Sequence, residues 1–294
     1  HTSQPVSHSL TILIKLKEKT LHTGGKNALA GQILKMVRLL QEQKVAITGV
    51  GVGAVGPLDF KKKAIVNTPN IPLPFITLAP LKNIKKPVYV LNDASAGVLG
   101  EKYFGMGKNF DNLVYLTISS GIGGGAIVDG HFLMGENGNA VEPGHMVVDS
   151  TYNLPCACGK GSGHWRSYVA GDDMGKFCRV WLTCQGIKNV DFDLTAAEIF
   201  LAAENGHKIA RQFVEEMGVI SGRALSNVIV AYSPGLITIG GSVVANHPKM
   251  FLKSIEGKID TYLPLPSIKV TPLGDDIGLL GALAAVFHKQ GVKI

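Results

Sequence analysis

The stretch that most constrains the fold is residues 113–130, in which two apolar runs flank a glycine-rich bend. The first run, LVYL, has the character of a buried strand, SSG bends the chain, and three glycines precede a second run that ends in Asp129-Gly130, a turn pair. A strand that feeds such a bend lets backbone N–H groups converge on a phosphate, because no Cβ atoms intervene. A β-hairpin whose glycines only permit a tight turn is the alternative, and it is favoured for an isolated glycine run. The surrounding motifs therefore decide between the two interpretations.

Length, composition and charge limit the classes of protein to which this chain can belong. The chain has 294 residues, of which 46% are hydrophobic and 17% charged, enough for about two domains of ~150 residues. No run of ~18 apolar residues is present, so we expect no membrane partner. The net charge is +7, its basic residues are spread along the chain, and the sequence has no helix-turn-helix pattern. We therefore expect no nucleic-acid partner, whereas binding of an anionic nucleotide is compatible with the basic charge. Four clustered cysteines favour a reducing, cytoplasmic compartment, or metal binding by the first two.

Strand and helix patterns alternate in the first half of the chain and again in the second, which predicts two α/β lobes. In the first half we predict strands at 11–19, 45–55 and 88–91, and helices at 28–42 and 94–103. In the second half we predict helices at 168–183, 195–203, 207–232, 243–259 and 277–289, and strands at 236–239 and 268–271. Residues 135–163 show no periodicity, and a loop of that length is usually functional or stapled by a metal.

Asn92 and Asp93 stand where a predicted strand ends and a helix begins. Ligands of α/β sheets bind beyond the carboxyl ends of strands, and a carboxylate there can accept the proton of a hydroxyl nucleophile. Asp93 as the N-cap of the following helix is the alternative, and the local sequence alone favours it.

The irregular stretch contains two further groups of polar residues. Glu142 and His145 are close enough to hydrogen-bond vicinal hydroxyls, although an ordinary polar loop is the alternative. Cys156, Cys158 and His164, together with His145, supply four nitrogen and sulfur ligands for tetrahedral zinc, at a spacing tighter than that of zinc fingers.

Taken together, these segments resemble the ROK family of sugar kinases, within the actin/hexokinase superfamily, from about Gly49 to the C-terminus. The motifs that carry the resemblance are GVGAVGPLD (51–59), NDASAGVLGE (92–101), LTISSGIGGG (116–125), EPGH (142–145), CACGKGSGH (156–164), ITIGGSV (237–243) and GDDIGLLGA (274–282). The resemblance implies that Asp93 is the general base and that the sugar contacts come from Gly56, Asn70, Asn92, Asp93, Glu142, His145 and the position of Arg166. It implies that ATP is bound by Ser119, Ser120, Gly121, Gly123, Gly124, Gly240 and Gly241, and that zinc is bound by His145, Cys156, Cys158 and His164.

The resemblance also implies a fold and an activity. The expected fold is α/β, a two-lobed actin-like ATPase (ribonuclease-H-like) fold with an interlobe cleft, divided into a smaller lobe (1–105), a larger lobe (106–276) and a C-terminal helix that returns to the first lobe (277–294). The expected activity is ATP-dependent phosphorylation of a hexose hydroxyl, with Mg²⁺ and a structural Zn²⁺. A kinase for N-acetylmannosamine or another amino sugar is one alternative, and a non-catalytic sugar-binding or regulatory protein is another. We expect a homodimer on base rates.

Four departures from the family pattern qualify this expectation. The family opens with an Asp and a Gly-Gly-Thr turn that hold Mg²⁺ and phosphate, and no residues here match them; either this segment precedes His1 or the protein lacks it. His164 stands in place of a third zinc cysteine, and histidine is an equally good zinc ligand. Arg166 occupies the position of a sugar-binding glutamate, so it either reverses the charge that faces the sugar or turns away. Ser119-Ser120 replaces the usual Gly-Thr, a change that a phosphate loop tolerates.

Overall fold

The computed structural model describes residues 11–44, 46–68 and 71–294. Within these residues the chain forms nine α-helices: α1 (Ala28–Glu42), α2 (Asp93–Phe104), α3 (Arg166–Val169), α4 (Met174–Cys184), α5 (Ala196–Glu204), α6 (Lys208–Tyr232), α7 (Ser242–Asn246), α8 (Pro248–Ile255) and α9 (Ile277–His288). The same residues form eleven strands: β1 (Val50–Ala54), β2 (Leu58–Asp59), β3 (Ala64–Val66), β4 (Phe75–Thr77), β5 (Val88–Asn92), β6 (Leu113–Ile118), β7 (Ile122–Val128), β8 (His131–Phe132), β9 (Leu236–Gly240), β10 (Ser267–Val270) and β11 (Val292–Lys293). None of the described helices combines the length and the apolar character needed to cross a bilayer.

The first lobe contains two small sheets. One has the strand order β1-β5-β11, with β1 parallel to β5, and its third strand is contributed by the end of the chain. The other is the antiparallel meander β2-β3-β4. Helix α1 packs its apolar stripe, including Ala30 and Val37, into a core shared with Ile65, Leu81 and Val88. This lobe therefore has a hydrophobic core of its own.

The second lobe is built on a five-stranded sheet of order β10-β9-β6-β7-β8. Strand β9 lies parallel to both β6 and β10, and β6 forms an antiparallel hairpin with β7. Trp165, Phe177, Phe213 and Phe251 are fully buried in the core of this lobe, which the apolar faces of α4, α6 and α8 help to build. Such large side chains bury the most apolar surface per residue and so contribute most to the stability of the core.

Helices α2 and α9 pack against each other; α2 also packs against strands of both lobes, and α9 against β1 and β5 of the first. Their buried residues, including Leu99 and Ala284, form a third cluster with Leu91 from β5 and Leu113 from β6. Because α2 touches strands of both lobes, the division of the chain at residues 105 and 276 stays a prediction.

Most of the predicted elements are confirmed, and α1 has the predicted bounds. The predicted strand at 11–19 is wrong: Thr11 to Lys19 have no regular secondary structure. Ile12, Leu13, Ile14 and Leu16 are exposed, and they border an apolar groove that is also lined by Leu40, Leu279 and Leu283. Within the described residues, the alternation therefore produces neither a strand nor a buried face. Two predicted helices are each interrupted: one between α3 and α4, and the other at His247, where Pro248 starts α8 as a favoured first residue.

Candidate active site and metal cluster

Asn92 and Asp93 lie at the carboxyl end of β5, as predicted, but Asn92 rather than Asp93 is the N-cap of the following helix. The side chain of Asn92 is the N-cap of α2, because its Oδ1 accepts hydrogen bonds from the N–H groups of Ala94 at 2.9 Å and Ser95 at 3.3 Å. Asp93 is the first residue of the helix, and its side chain is exposed to solvent. Because Asn92 fills the capping position, the exposed carboxylate of Asp93 is accessible to a ligand.

The pKa of Asp93 is raised above its ordinary value. Desolvation by the surrounding protein is the largest cause, and the negative charge of Glu142 adds to it, while the hydrogen bond from the Ala94 N–H opposes both. The side chain thus lies in a recess that is lined by protein yet open to water. A carboxylate whose pKa is raised holds a proton more readily than an ordinary aspartate, which is the property required of a general base.

Gly123, Gly124 and Gly125 lie in β7 rather than in the bend, which consists of residues 119–121. A Cβ on Gly125 would lie 3.0 Å from the Ala94 carbonyl oxygen, and one on Gly124 would lie 3.0 Å from the ring of Pro143. These glycines therefore let the start of α2 and the turn after Glu142 approach the hairpin closely. Their position accounts for the proximity of Asp93 and Glu142, which come from distant parts of the chain.

Glu142 directly precedes a short 3-10 helix, Pro143–His145, which ends with His145 and packs on β7. The His145 Nδ1 atom is 3.5 Å from Glu142 Oε2, and both side chains are partly exposed. The carboxylate therefore faces Asp93 from the second lobe, while the histidine ring lies next to the cysteine-rich loop.

The four predicted metal ligands lie together. The ligand atoms of His145, Cys156, Cys158 and His164 are all within 4.8 Å of one another, and Cys158 Sγ is 3.8 Å from His164 Nδ1. Ligands bound at about 2.0–2.3 Å in a tetrahedron are separated by roughly 3.3–3.8 Å, so small shifts suffice to fit a zinc ion. Burial, followed by the charge of His145, lowers the pKa of His164 and favours the neutral ring that binds metals. The donor set thus fits Zn²⁺.

A buried carboxylate that the sequence reading missed organises the chain before the cysteines. Asp149 accepts hydrogen bonds from the N–H groups of Thr151, Tyr152 and Asn153 at 2.9–3.1 Å and from the Tyr168 hydroxyl at 2.8 Å. Burial alone would raise its pKa, but the hydrogen bond from Tyr168 and those from the backbone outweigh burial and lower it. An aspartate followed by Ser-Thr is a weak turn signal that could have suggested such a role.

A recess of about 270 Å³ lies at the carboxyl ends of β6 and β9. Ser119, Ser120, Ser242 and Gly171 line it, and Ser119 Oγ is 3.3 Å from Ser242 Oγ. Gly241, at the end of β9, has a φ of +89°, and a Cβ there would overlap the carbonyl oxygen of Ile118. Only glycine fits this turn, which brings the two strand ends together. Polar hydroxyls at two adjacent strand ends suit a phosphate-bearing ligand.

Gly56 lies close to the amide of Asn92, since a Cβ at position 56 would stand 2.6 Å from Asn92 Nδ2. Asn139, which the sequence reading did not single out, bonds to the backbone of Leu58 just beyond it. The predicted sugar contact Asn70 lies outside the described residues. The repeated Gly and Asn of residues 135–139 signal a turn, but no local pattern points to a contact with residue 58.

Arg166 is directed toward an acidic residue of its own lobe. Its Nη2 donates to Asp173 Oδ2 at 3.2 Å, and both side chains are largely buried. Asp173 also pairs with Lys176 at 2.9 Å. Of the two expectations for Arg166, this arrangement agrees with the one in which it turns away and pairs elsewhere.

Two α/β lobes joined by packed helices, with strand ends and a carboxylate that face the junction, define a two-lobed actin-like ATPase fold. The chain belongs to the ROK family, whose model matches residues 6–289. This confirms both the resemblance and the expected fold class.

Relatives and solved structures agree with this assignment. A glucokinase of Pyrobaculum calidifontis is 36% identical over 241 residues, which cover 81% of this chain and 78% of that protein. A ROK hexokinase structure from Thermus thermophilus has a TM-score of 0.74 and 28% identity, with 92% of this chain and 89% of that chain covered. A ROK glucokinase structure from Streptomyces griseus, in complex with glucose and AMPPNP, has a TM-score of 0.71 and 26% identity over 90% of each chain. A xylose repressor of Bacillus subtilis is also similar, at 29% identity over 239 residues, which cover 80% of this chain and 59% of the repressor.

Proposed function

We propose that this protein is an ATP-dependent sugar kinase that transfers the γ-phosphoryl group of ATP to a hydroxyl of a hexose. The observation that carries the proposal is the position of Asp93, an accessible carboxylate with a raised pKa at the end of β5, facing Glu142 from the other lobe. The glucokinase relatives support this class of activity and make glucose the first sugar to test. A kinase for N-acetylmannosamine or another amino sugar is the alternative within the class.

In this proposal Asn92, Asp93, Glu142 and His145 hold the sugar hydroxyls, and the recess lined by Ser119 and Ser242 receives the phosphates of ATP. Mg²⁺ enters with ATP as part of the substrate. Asp93 accepts the proton of the attacking hydroxyl as the phosphoryl group transfers, and the backbone N–H groups near Ser120 and Gly241 offset negative charge. The recess and the carboxylate come from different lobes, so a closed cleft would also exclude water from the reaction.

We further propose that Zn²⁺ is bound by His145, Cys156, Cys158 and His164 and that it is structural. The donor set and its spacing support this. The metal would fix the loop that carries His145, whose other ring nitrogen is then available to orient Glu142 or a sugar hydroxyl.

The test is ADP release with Mg-ATP across a panel of hexoses and N-acetylhexosamines, comparing the wild type with Asp93→Asn. We expect sugar-dependent ADP release that falls by about 10²–10⁴-fold in the variant, the usual contribution of a general base. Asp129→Asn, which changes an exposed carboxylate in the β7–β8 turn, is the matched control and should retain activity.

Stability separates a catalytic role of Asp93 from a structural one. Because the folded pKa of Asp93 is raised, the folded state disfavours its ionised form, and the neutral asparagine removes that penalty. Asp93→Asn should therefore melt no lower than the wild type at pH 7. A wild-type chain that binds a sugar in calorimetry but releases no ADP with any sugar would instead support the sugar-binding or regulatory alternative.

A further inference from the structure

The side chain of Asn139 bonds to both backbone groups of Leu58. Its Oδ1 accepts from the Leu58 N–H at 2.8 Å, and its Nδ2 donates to the Leu58 carbonyl oxygen at 2.8 Å. The amide thus occupies the place that a neighbouring strand would take beside β2. Leu58 belongs to the first lobe, whereas Asn139 follows β8 of the second, so these two bonds join the lobes.

The loop that carries Asn139 is shaped to lie on the first lobe. The Ala140 N–H donates to the Met134 carbonyl at 3.1 Å, which closes residues 134–140 into a compact turn. Gly138 is buried with a φ of +74°, and a Cβ there would overlap the ring of Phe60 on the hairpin of β2 and β3. The contact between the loop and the hairpin is therefore a close, complementary one that a larger residue at position 138 would prevent.

This contact lies beside the proposed sugar site. A Cβ on Gly56 would stand 2.6 Å from Asn92 Nδ2 and 3.8 Å from Asn139 Oδ1. Glu142 follows Asn139 by three residues. A ligand that reaches both Asn92 and Glu142 would thus span the two lobes at the place where Asn139 holds them together.

We propose that Asn139 is a positioning residue for the sugar, an interlobe clasp that holds the segment from Gly56 to Leu58 at the distance at which a sugar contacts both lobes. Sugar binding and the clasp stabilise the same closed arrangement, so each strengthens the other. ATP is bound at the ends of β6 and β9, within the second lobe, and does not depend on the clasp. This inference rests on the proposed function in that the ligand between the lobes is a sugar.

The test compares Asn139→Ala, which removes both hydrogen bonds to Leu58 together with the one from Nδ2 to the Asn137 carbonyl oxygen, with Asn139→Asp, which keeps the acceptor but loses the donor. Asn137→Ala, an exposed change in the same loop, is the matched control. For Asn139→Ala we expect the KM for glucose, or for whichever sugar of the panel is most active, to rise by roughly ten-fold, the value of about two lost hydrogen bonds. The KM for ATP should stay within two-fold, and Asn139→Asp should give an intermediate rise. Equal KM values for the sugar in Asn139→Ala and Asn137→Ala would overturn the proposal, as would a parallel rise in the KM for ATP.

Hydrogen exchange of residues 56–60 tests the clasp without relying on activity. In the wild type the Leu58 amide should exchange slowly, and more slowly when glucose is bound, whereas in Asn139→Ala its exchange should be faster with and without glucose. Identical exchange of Leu58 in the wild type and Asn139→Ala would overturn the clasp even if the enzyme is an active kinase. A wild type that releases no ADP would count against the proposed function alone, because the exchange result still decides the clasp.

Discussion

The two sides of the proposed cleft are built by different means. On the nucleotide side, β6 and β9 are buried parallel strands, and their ladder hydrogen bonds bring Ser119 and Gly241 together. On the sugar side, residues 133–165 contain only the short helix Pro143–His145 and two isolated bridges, so scattered backbone and side-chain hydrogen bonds fix the backbone in place of a ladder. Asp149 accepts three hydrogen bonds from backbone N–H groups there, and the four predicted metal ligands lie in the same stretch.

This difference bears on how each side responds to a change. The nucleotide side shares its strands with the core of the second lobe, so disturbing it disturbs the whole sheet. The sugar side has little regular secondary structure, and such segments open with a lower free energy than core strands. Selective damage to sugar binding, with ATP binding intact, is therefore possible from the sugar side alone.

Removal of the metal should give the largest of these effects. If zinc is bound, stripping it with a chelator should lower Tm by roughly 10 °C, because a ligand present at about 1,000 times its Kd stabilises the folded state by about 4 kcal/mol. We also expect a higher KM for the sugar and little change in the KM for ATP. Metal analysis, thermal melts and steady-state kinetics provide the measurements.

Cys158→Ser should reproduce the effect of the chelator, and the chelator should then have no further effect on that variant. Cys184→Ser, an exposed cysteine outside the cluster, is the control and should keep both zinc and stability. If the purified chain contains no zinc and added zinc does not stabilise it, the prediction of a structural zinc site is wrong.

Asp149→Asn should have a smaller, pH-dependent effect. At pH 7 we expect a loss of about 2–3 kcal/mol in the free energy of unfolding, typical of hydrogen bonds to a buried charge. Since the folded pKa of Asp149 is lowered, its stabilisation is complete above the pKa of an unfolded aspartate, near 4, and is lost as the pH falls through the folded value.

Denaturant melts at pH 7 and at several values between pH 5 and 3 give the measurement, with Asp193→Asn, an exposed carboxylate, as the control. The difference between wild type and Asp149→Asn should shrink across that acid range. A difference that does not change with pH would mean that packing of the side chain, and not its charge, holds the loop.

Local patterns in the sequence predicted much of the fold. Helix α1 and strand β5 follow from periodicity and apolar runs, and Asn92-Asp93 follows from the junction of a strand and a helix. The four cysteine and histidine ligands also come together where their spacing placed them. These features depend on residues near each other in the chain, so the sequence shows them directly.

What the sequence did not reveal depends on contacts between distant residues. Asn139 bonds to Leu58, 81 positions away. Asp149 accepts a hydrogen bond from the hydroxyl of Tyr168 as well as those from its own turn. The strand predicted at 11–19 has the right alternation, but a strand also needs a partner, and no local pattern supplies one. Amide and carboxylate side chains that bond to backbone groups elsewhere carry no periodic signal.

The smallest effect we predict concerns Val141, the residue before Glu142. Its φ is +62°, although it is β-branched and buried, and this left-handed conformation costs an ordinary residue about 1–2 kcal/mol. Val141→Ala and Val141→Gly both lose the buried side chain, but only glycine is free of the strain, at an entropic cost of about 0.5–1 kcal/mol. We expect the glycine variant to be the more stable by about 0.5–1 kcal/mol in denaturant melts. The same two changes at Val148, which is buried to the same degree without a positive φ, should give the opposite order. If the alanine variant is more stable than the glycine variant at both positions, the backbone at Val141 is not strained. The polar contacts of the sugar-side loop then do not hold a strained conformation before Glu142.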